Sequence, residues 1–236
     1  MIHQVETTVK KNRSGLFYSK KEEQINSISH AAGFALGLIV CFCFLAYCHQ
    51  YGDEWVTLGV WLYLAGMGGS YLTSTLYHAL RHHNPLKKRL RQWDHAAIYW
   101  HSAGSYSPIT LTVLREEGAW GWGLFAFVWT CALVGTAVSF RKMEEHSHIE
   151  TLCFIVMGLS ILVAFGPLLA VAETACYWMI AEGVCYIAGA VFYSFRRIRY
   201  AHSIFHFFVL AGSVCHMVAV WHVSVSYTHL TLPTKA

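Results

Sequence analysis

Charged residues are scarce in this sequence. Asp, Glu, Lys and Arg make up 13% of its 236 residues, whereas about a quarter of the residues in soluble domains are charged. Proline is rare as well, with 4 residues, while 56% of the chain is hydrophobic and the mean hydropathy is +0.41. A soluble core does not need several uncharged runs that are each long enough to cross a bilayer. We therefore expect one membrane domain.

Paired cysteine motifs are also missing. The eight cysteines form no CxxC pair of the kind that binds structural zinc, so we interpret them as small apolar residues within helices. Residues 1–23 are polar and basic, without an apolar stretch followed by small residues at a cleavage site. We expect no cleaved signal peptide, and we interpret residues 1–23 as a cytoplasmic N-terminal segment.

Seven long stretches of the chain are uncharged or almost uncharged. An apolar helix of about 20 residues spans the hydrocarbon core of a bilayer, whereas barrel strands would be about half as long and would alternate in polarity. The sequence therefore predicts an all-α, polytopic bundle of seven transmembrane helices within residues 24–224. The predicted spans are 27–49, 56–80, 94–114, 119–140, 150–171, 175–195 and 201–223.

The basic residues predict the orientation of these spans, because Lys and Arg concentrate in cytoplasmic loops. With the N-terminus in the cytoplasm, fifteen of the seventeen Lys and Arg residues lie on the cytoplasmic side, and the exceptions are Arg115 and Lys235. Seven spans then place the C-terminus outside the cytoplasm. The net charge of +4 is explained as an orientation signal with some attraction to anionic lipid, so no nucleic-acid partner is expected.

The last dozen residues change abruptly in character. From Val225 to Ala236 the chain is Thr-rich and polar, and it ends in Leu-Pro-Thr-Lys-Ala. This stretch resembles a translated sequencing adapter, so we interpret residues 225–236 as a non-native tail. His229 is accordingly given no functional role.

Histidines within the predicted spans are the main functional candidates, because ionisable groups inside a membrane are costly. His202 and His206 are four residues apart, so a helix places them on one face about 6 Å apart along its axis. One helix can give two ligands to a metal ion with this spacing, although such a pair can also form interhelical hydrogen bonds. The predicted topology brings His78 and Asp94 to the same cytoplasmic level. Three histidine ligands with one open position are typical of catalytic zinc.

Several motifs occur in order on the expected helices. They are Glu23-x2-Asn26-x3-His30, Ser74-Thr75-Leu76-Tyr77-His78, Arg91-Gln92-Trp93-Asp94-His95, Ala103-Gly104-Ser105-Tyr106-Ser107-Pro108, and His202-Ser203-Ile204-Phe205-His206 with His216. Through these motifs, residues 20–223 resemble the progestin and adipoQ receptor family. The resemblance is strongest to its bacterial hemolysin III-like branch.

This resemblance implies a seven-helix protein of the cell membrane, the inner membrane in a bacterium, with Zn2+ near the cytoplasmic face. The implied zinc ligands are His78, His202 and His206. Asp94 would hold or deprotonate the zinc-bound water, and Ser74 would be a supporting polar group or bind an oxyanion. The constellation is also similar to that of the alkaline ceramidases. We therefore expect a zinc-dependent hydrolase of a lipid amide, with a membrane lipid as its partner.

Other residues at the helix ends fit a supporting role. Glu23, Asn26 and His30 would face the site from the first helix. Arg91 could pair with Glu23 or a lipid headgroup, or it could serve only as an orientation charge. His95 could support the site or pack at the interface. We expect helix kinks at Pro108 and Gly166-Pro167 and close helix packing at Gly66, Gly69 and Gly135.

Three other functions were weighed against the hydrolase. The first is a ligand- or lipid-sensing receptor or regulator in which zinc is structural, which requires a fourth protein ligand. The second is a haem protein, because His202 and His216 are fourteen residues apart, but no second helix has the matching histidine spacing. The third is an ion transporter. Its candidate groups in the outer half, Glu182, His101, His216 and His222, are too sparse for an obvious relay.

Overall fold

The computed structural model describes residues 18–141, 148–195 and 198–231, and every regular element in these ranges is a helix. The prediction of an all-α fold is confirmed. The helices are α1 Lys20–Tyr51, α2 Glu54–Ala79, α3 Leu86–Thr110, the short α4 Val113–Glu116, α5 Ala119–Arg141, α6 His148–Leu159, a 3-10 helix Ser160–Ala164, α7 Phe165–Val171, α8 Glu173–Ser194 and α9 Ala201–Thr231. The predicted non-native tail lies partly in α9 and partly beyond the described residues.

Five helical stretches are long and apolar enough to cross a membrane. They are Lys20–Tyr51, Ala119–Arg141, Leu152–Val171, Glu173–Ser194 and Ala201–Thr228. Large apolar side chains cover the outer surface of the bundle, and Phe42 on α1, for example, is 77% exposed. Such a surface is stable in lipid and would be an aggregation site in water.

The helices α2 and α3, with 26 and 25 residues, are not among these five stretches. Gly, Ser, Thr and Tyr residues lower the mean hydropathy of α2, and charged residues in the first turns of α3 lower that of α3. In the bundle, α2 packs against both α1 and α3, and α3 packs against α5 as well. Ser70, Ser74 and His78 on α2 are accordingly buried, whereas Lys88 and Arg89 in the first turn of α3 are exposed.

The helices α1 and α3 begin several residues earlier than the predicted spans. At the start of α1, the Ser19 hydroxyl accepts a hydrogen bond from the Glu22 backbone N–H, and the Glu22 carboxylate accepts one from the Ser19 N–H, at 3.3 and 2.8 Å. This capping box starts the helix at Lys20 instead of residue 27. Similarly, α3 starts at Leu86 instead of residue 94. Residues 20–26 and 86–93, which the predicted spans left out, therefore belong to α1 and α3.

The predicted span at 150–171 is not one continuous helix, since a 3-10 segment separates α6 from α7. The Tyr106 hydroxyl from α3 lies where α6 passes into the 3-10 segment. Its single O–H is shared between the backbone oxygens of Met157 and Gly158, at 2.9 and 2.7 Å, and its oxygen accepts from the Ile161 N–H at 3.0 Å. A side chain inserted into the backbone ladder interrupts a helix. The break therefore lies N-terminal to the kink predicted at Gly166-Pro167.

The glycine predictions are partly correct. A Cβ atom at Gly66 would collide with the backbone of Trp100, and one at Gly135 would collide with the ring of Tyr99. Both positions therefore permit close helix packing. The prediction for Gly69 is wrong, because its α-carbon faces open space.

Two ionisable residues pair near the middle of α8 and α9. The Glu182 carboxylate on α8 lies 2.7 Å from Nδ1 of His216 on α9, and Nε2 of His216 lies 3.1 Å from the backbone oxygen of Ser105 on α3. A buried charge or polar group is stable in lipid only with such partners. This pair therefore ties α3, α8 and α9 together.

Candidate metal centre

Three histidines converge at one end of the bundle. His78 lies in the last turn of α2, and His202 and His206 lie in the first turns of α9. Nε2 of His202 is 3.4 Å from Nε2 of His78 and 3.0 Å from Nε2 of His206. Within the described part of the chain, these are the only three His, Cys, Asp or Glu residues whose ligand atoms all lie within 4.8 Å of one another. The three side chains could hold a metal ion.

The arrangement fits a metal ion in distance and in chemistry. Ligand atoms bound tetrahedrally at about 2.0–2.1 Å lie about 3.4 Å apart, close to the 3.4 and 3.0 Å that separate Nε2 of His202 from Nε2 of His78 and of His206. His78 and His206 are each only 2% exposed, so bulk water has little access to their ring nitrogen atoms. Imidazole ligands suit zinc and other transition metals. The donor set therefore suits a transition-metal ion.

Glu23 orients the ring of His78. Its Oε2 atom lies 2.7 Å from Nδ1 of His78, and an ionised carboxylate can only accept a hydrogen bond. Nδ1 of His78 therefore carries the proton, and the lone pair of Nε2 faces the other two histidines. Metal-binding histidines are commonly oriented by a carboxylate in this way.

Residues of α1 support His206. Its Nδ1 lies 3.5 Å from the Ser29 hydroxyl, which donates to the backbone oxygen of Asn26 at 3.0 Å. The Asn26 side chain accepts a hydrogen bond of 2.6 Å from the hydroxyl of Ser203 on α9. The ring of His30 stacks on His206 with centroids 3.8 Å apart. The structure thus places Asn26 and His30, as well as Glu23, beside the histidine cluster.

Tyr18, which precedes α1, covers His202. Their rings stack with centroids 4.5 Å apart and an interplanar angle of 17°. Burial raises the pKa of the Tyr18 hydroxyl well above its ordinary value of 10.0, so this group stays protonated at neutral pH. The stacked Tyr18 ring therefore covers one face of the His202 ring.

The other predicted site residues lie on α2 and α3. Ser74 is buried on α2, one turn before His78. Asp94 on α3 is half-buried and does not belong to the group of converging ligand atoms. Arg91, also on α3, is half-buried. His95 is half-buried next to Asp94.

Some residues that contact the histidines or their neighbours Glu23 and Asn26 were not predicted from the sequence. Among them are Tyr18, Ser29, Lys87 and Ser203. Ser29 and Ser203 are sequence neighbours of His30 and His202, and this adjacency was the available signal for them. Lys87 resembled the other basic residues of its loop, so nothing local distinguished it.

A helical chain with apolar helices of membrane length and a buried three-histidine cluster defines a multi-pass membrane protein with a site that can hold a metal ion. The sequence profile of the Haemolysin-III related family matches residues 18–217, and the chain belongs to this family. The predictions of a hemolysin III-like protein and of a multi-pass membrane location are confirmed.

Relatives in bacteria and animals share most of the chain. It is 34% identical to Hemolysin-3 of Bacillus cereus over 82% of this chain and 87% of the relative. It is 31% identical to the Hemolysin-3 homolog of Bacillus subtilis over 86% and 94% of the two chains. It is 28% identical to the human Monocyte to macrophage differentiation factor over 73% and 74%.

Proposed function

We propose that this protein binds Zn2+ through His78, His202 and His206 and hydrolyses a lipid amide at the cytoplasmic interface of the cell membrane. The observation that supports catalysis is the number of converging ligands. Among the described residues, three histidine nitrogens and no fourth protein ligand come together. Structural zinc sites are almost always closed by four protein ligands, whereas catalytic sites keep one position open.

The chain's own residues have distinct roles in this proposal. A zinc ion, when bound, would polarise the substrate carbonyl and lower the pKa of a water molecule toward about 7. The Asp94 carboxylate would accept the proton of the attacking water, and the Ser74 hydroxyl would donate a hydrogen bond to the developing oxyanion. The C–N bond of the amide would then break as the proton held by Asp94 passes to the amide nitrogen, and a fatty acid and an amine would leave.

The position of the cluster favours a lipid as the substrate. His78 lies at the end of α2, and His202 and His206 lie at the start of α9, so the cluster is near the ends of membrane helices. Lipid amides and esters lie at this depth, between the headgroups and the hydrocarbon core. A substrate that enters from the inner leaflet would not have to leave the membrane to reach the histidines.

The zinc-dependent reaction is testable with wild-type protein in lipid nanodiscs. We expect fatty acid release from ceramide-like substrates or other acylated amines, loss of this release on chelation, and its recovery when zinc is added back. Product release would be followed by mass spectrometry. If a broad panel of acylated amines gave no zinc-dependent turnover, the hydrolase proposal would be abandoned.

We also propose seven membrane spans, formed by α1, α2, α3, α5, the interrupted α6 to α7 segment, α8 and α9. The N-terminus would lie in the cytoplasm and the C-terminus outside it. The helices α2 and α3 are compatible with this topology because Ser70, Ser74 and His78 of α2 are buried and the exposed charges Lys88 and Arg89 lie at the first turn of α3, at the end of the proposed span. The distribution of Lys and Arg supports the orientation.

This topology predicts the location of two fused reporters. A reporter after residue 223 should be extracytoplasmic, and one inserted in the 82–90 loop should be cytoplasmic. Alkaline phosphatase and green fluorescent protein fusions at both positions would report opposite signals. The reversed pattern would place the histidine cluster at the outer face and contradict the proposed site of the reaction.

A second candidate function is a lipid- or ligand-sensing receptor in which the metal is structural. The contacts of the cluster favour it, because Glu23 of α1 contacts His78 of α2, and His78 contacts His202 of α9. A metal ion held by the three histidines would cross-link α2 and α9, and Glu23 would join α1 to them. The two candidates differ in what they predict for Asp94.

A further inference from the structure

Lys87, in the first turn of α3, has a buried ammonium group. Lys87 is 8% exposed, whereas its neighbours Lys88 and Arg89 are exposed. Lysine is almost never fully buried unless it is paired. Nζ of Lys87 donates to Oε1 of Glu23 at 2.8 Å, to the backbone oxygen of Tyr77 at 2.9 Å and to that of Leu80 at 2.8 Å. All three N–H donors of the ammonium group are therefore satisfied.

Two of these bonds hold the end of the helix that carries His78. The last carbonyl groups of a helix have no partner within the helix, and a cation is favourable there because of the helix dipole. Tyr77 immediately precedes His78, and Leu80 follows the last residue of α2. Lys87 therefore fixes the backbone on both sides of a histidine of the cluster.

The third bond acts through Glu23. One carboxylate oxygen of Glu23 accepts from Lys87 and the other accepts from Nδ1 of His78. A buried carboxylate without a nearby positive charge is unstable, and a neutral imidazole supplies none. His82 approaches Glu23 to 3.7 Å, but it is charged only when protonated. Lys87 thus places an ammonium group 2.8 Å from the Glu23 carboxylate.

We propose that Lys87 is a positioning residue of the metal centre. Through Glu23 it fixes the ring orientation of His78, and through the end of α2 it fixes the place from which that ring extends. The proposal rests on the proposed function to the extent that the three histidines bind zinc. It does not depend on whether the zinc is catalytic or structural.

The test is the zinc affinity of the full-length protein in nanodiscs, measured by competition with a chromophoric chelator. Lys87→Met keeps the apolar stem and removes the charge, and Lys88→Met is the matched control one residue away. Loss of a residue that supports a metal ligand typically weakens metal binding 10–100-fold. We expect a loss of this size for Lys87→Met and no change for Lys88→Met.

A double-mutant cycle with Glu23→Gln shows whether Lys87 acts through Glu23. We expect Lys87→Met to weaken zinc binding much less in the Glu23→Gln background, because residues of one network are not additive. Equal effects in both backgrounds would overturn the role of Glu23 as the intermediary. The cycle is repeated with Lys87→Gln, so that it does not depend on one variant folding, and the melting temperature of each metal-free variant is measured in parallel.

The outcomes separate this inference from the proposed function. If wild type binds zinc and the Lys87 variants bind it as tightly as Lys88→Met, Lys87 is not a positioning residue, and the three-histidine site stands. If wild type itself binds no zinc, the proposed function fails first. A weaker affinity confined to the Lys87 variants supports the inference.

Discussion

The His202→Ala/His206→Ala double variant is expected to lose stoichiometric zinc. The substitutions remove two of the three converging nitrogen atoms, and His78 alone cannot hold the ion. Metal analysis of purified protein would measure the zinc content. A His49→Ala/His83→Ala variant, which changes two exposed histidines, should keep full occupancy. Full occupancy in the His202/His206 double variant would rule out the proposed site.

The same experiment has a stability readout. An ion that binds only the folded protein stabilises it by about 4 kcal/mol when its free concentration is a thousandfold above the dissociation constant. Chelation should therefore lower the melting temperature of wild type and leave that of the double variant nearly unchanged. Acidification should also release the metal, because ligation requires neutral imidazole.

Asp94→Asn is expected to keep the fold and the zinc but to reduce turnover by about 10²–10⁴-fold, the usual contribution of general acid–base catalysis. The substitution preserves the shape of the side chain and removes its capacity to accept a proton. Zinc should remain because Asp94 is outside the group of converging ligand atoms. Fatty acid release in nanodiscs measures the effect, and Glu117→Gln, at an exposed position, is the control.

The result for Asp94 distinguishes the two candidate functions. In a receptor with structural zinc, Asp94→Asn would hardly change any measurable turnover and would slightly lower the stability of the protein. In the hydrolase, turnover would fall while the melting temperature and the zinc content stayed near wild type. A variant with wild-type turnover would contradict the role proposed for Asp94.

The class of protein could be predicted from local sequence. An apolar run indicates that its own segment lies in lipid, because the cost of placing charges in lipid acts on each span separately. The spacing of His202 and His206 is also local, because a helix turns four-residue neighbours to one face. A local reading also predicted residues 150–171 as one helix. It could not include the Tyr106 hydroxyl that interrupts this segment, because that side chain comes from α3.

The amino-acid sequence by itself therefore determined the helical class, the membrane location and the candidate ligands. Only the tertiary structure decided what surrounds those ligands. Glu23 meets His78 across 55 residues of sequence, and Lys87 meets Glu23 across 64. In the sequence, Lys87 is one basic residue among several in a loop. It becomes a partner of the histidine cluster because the packing of α1, α2 and α3 buries its ammonium group, and a buried charge must find partners.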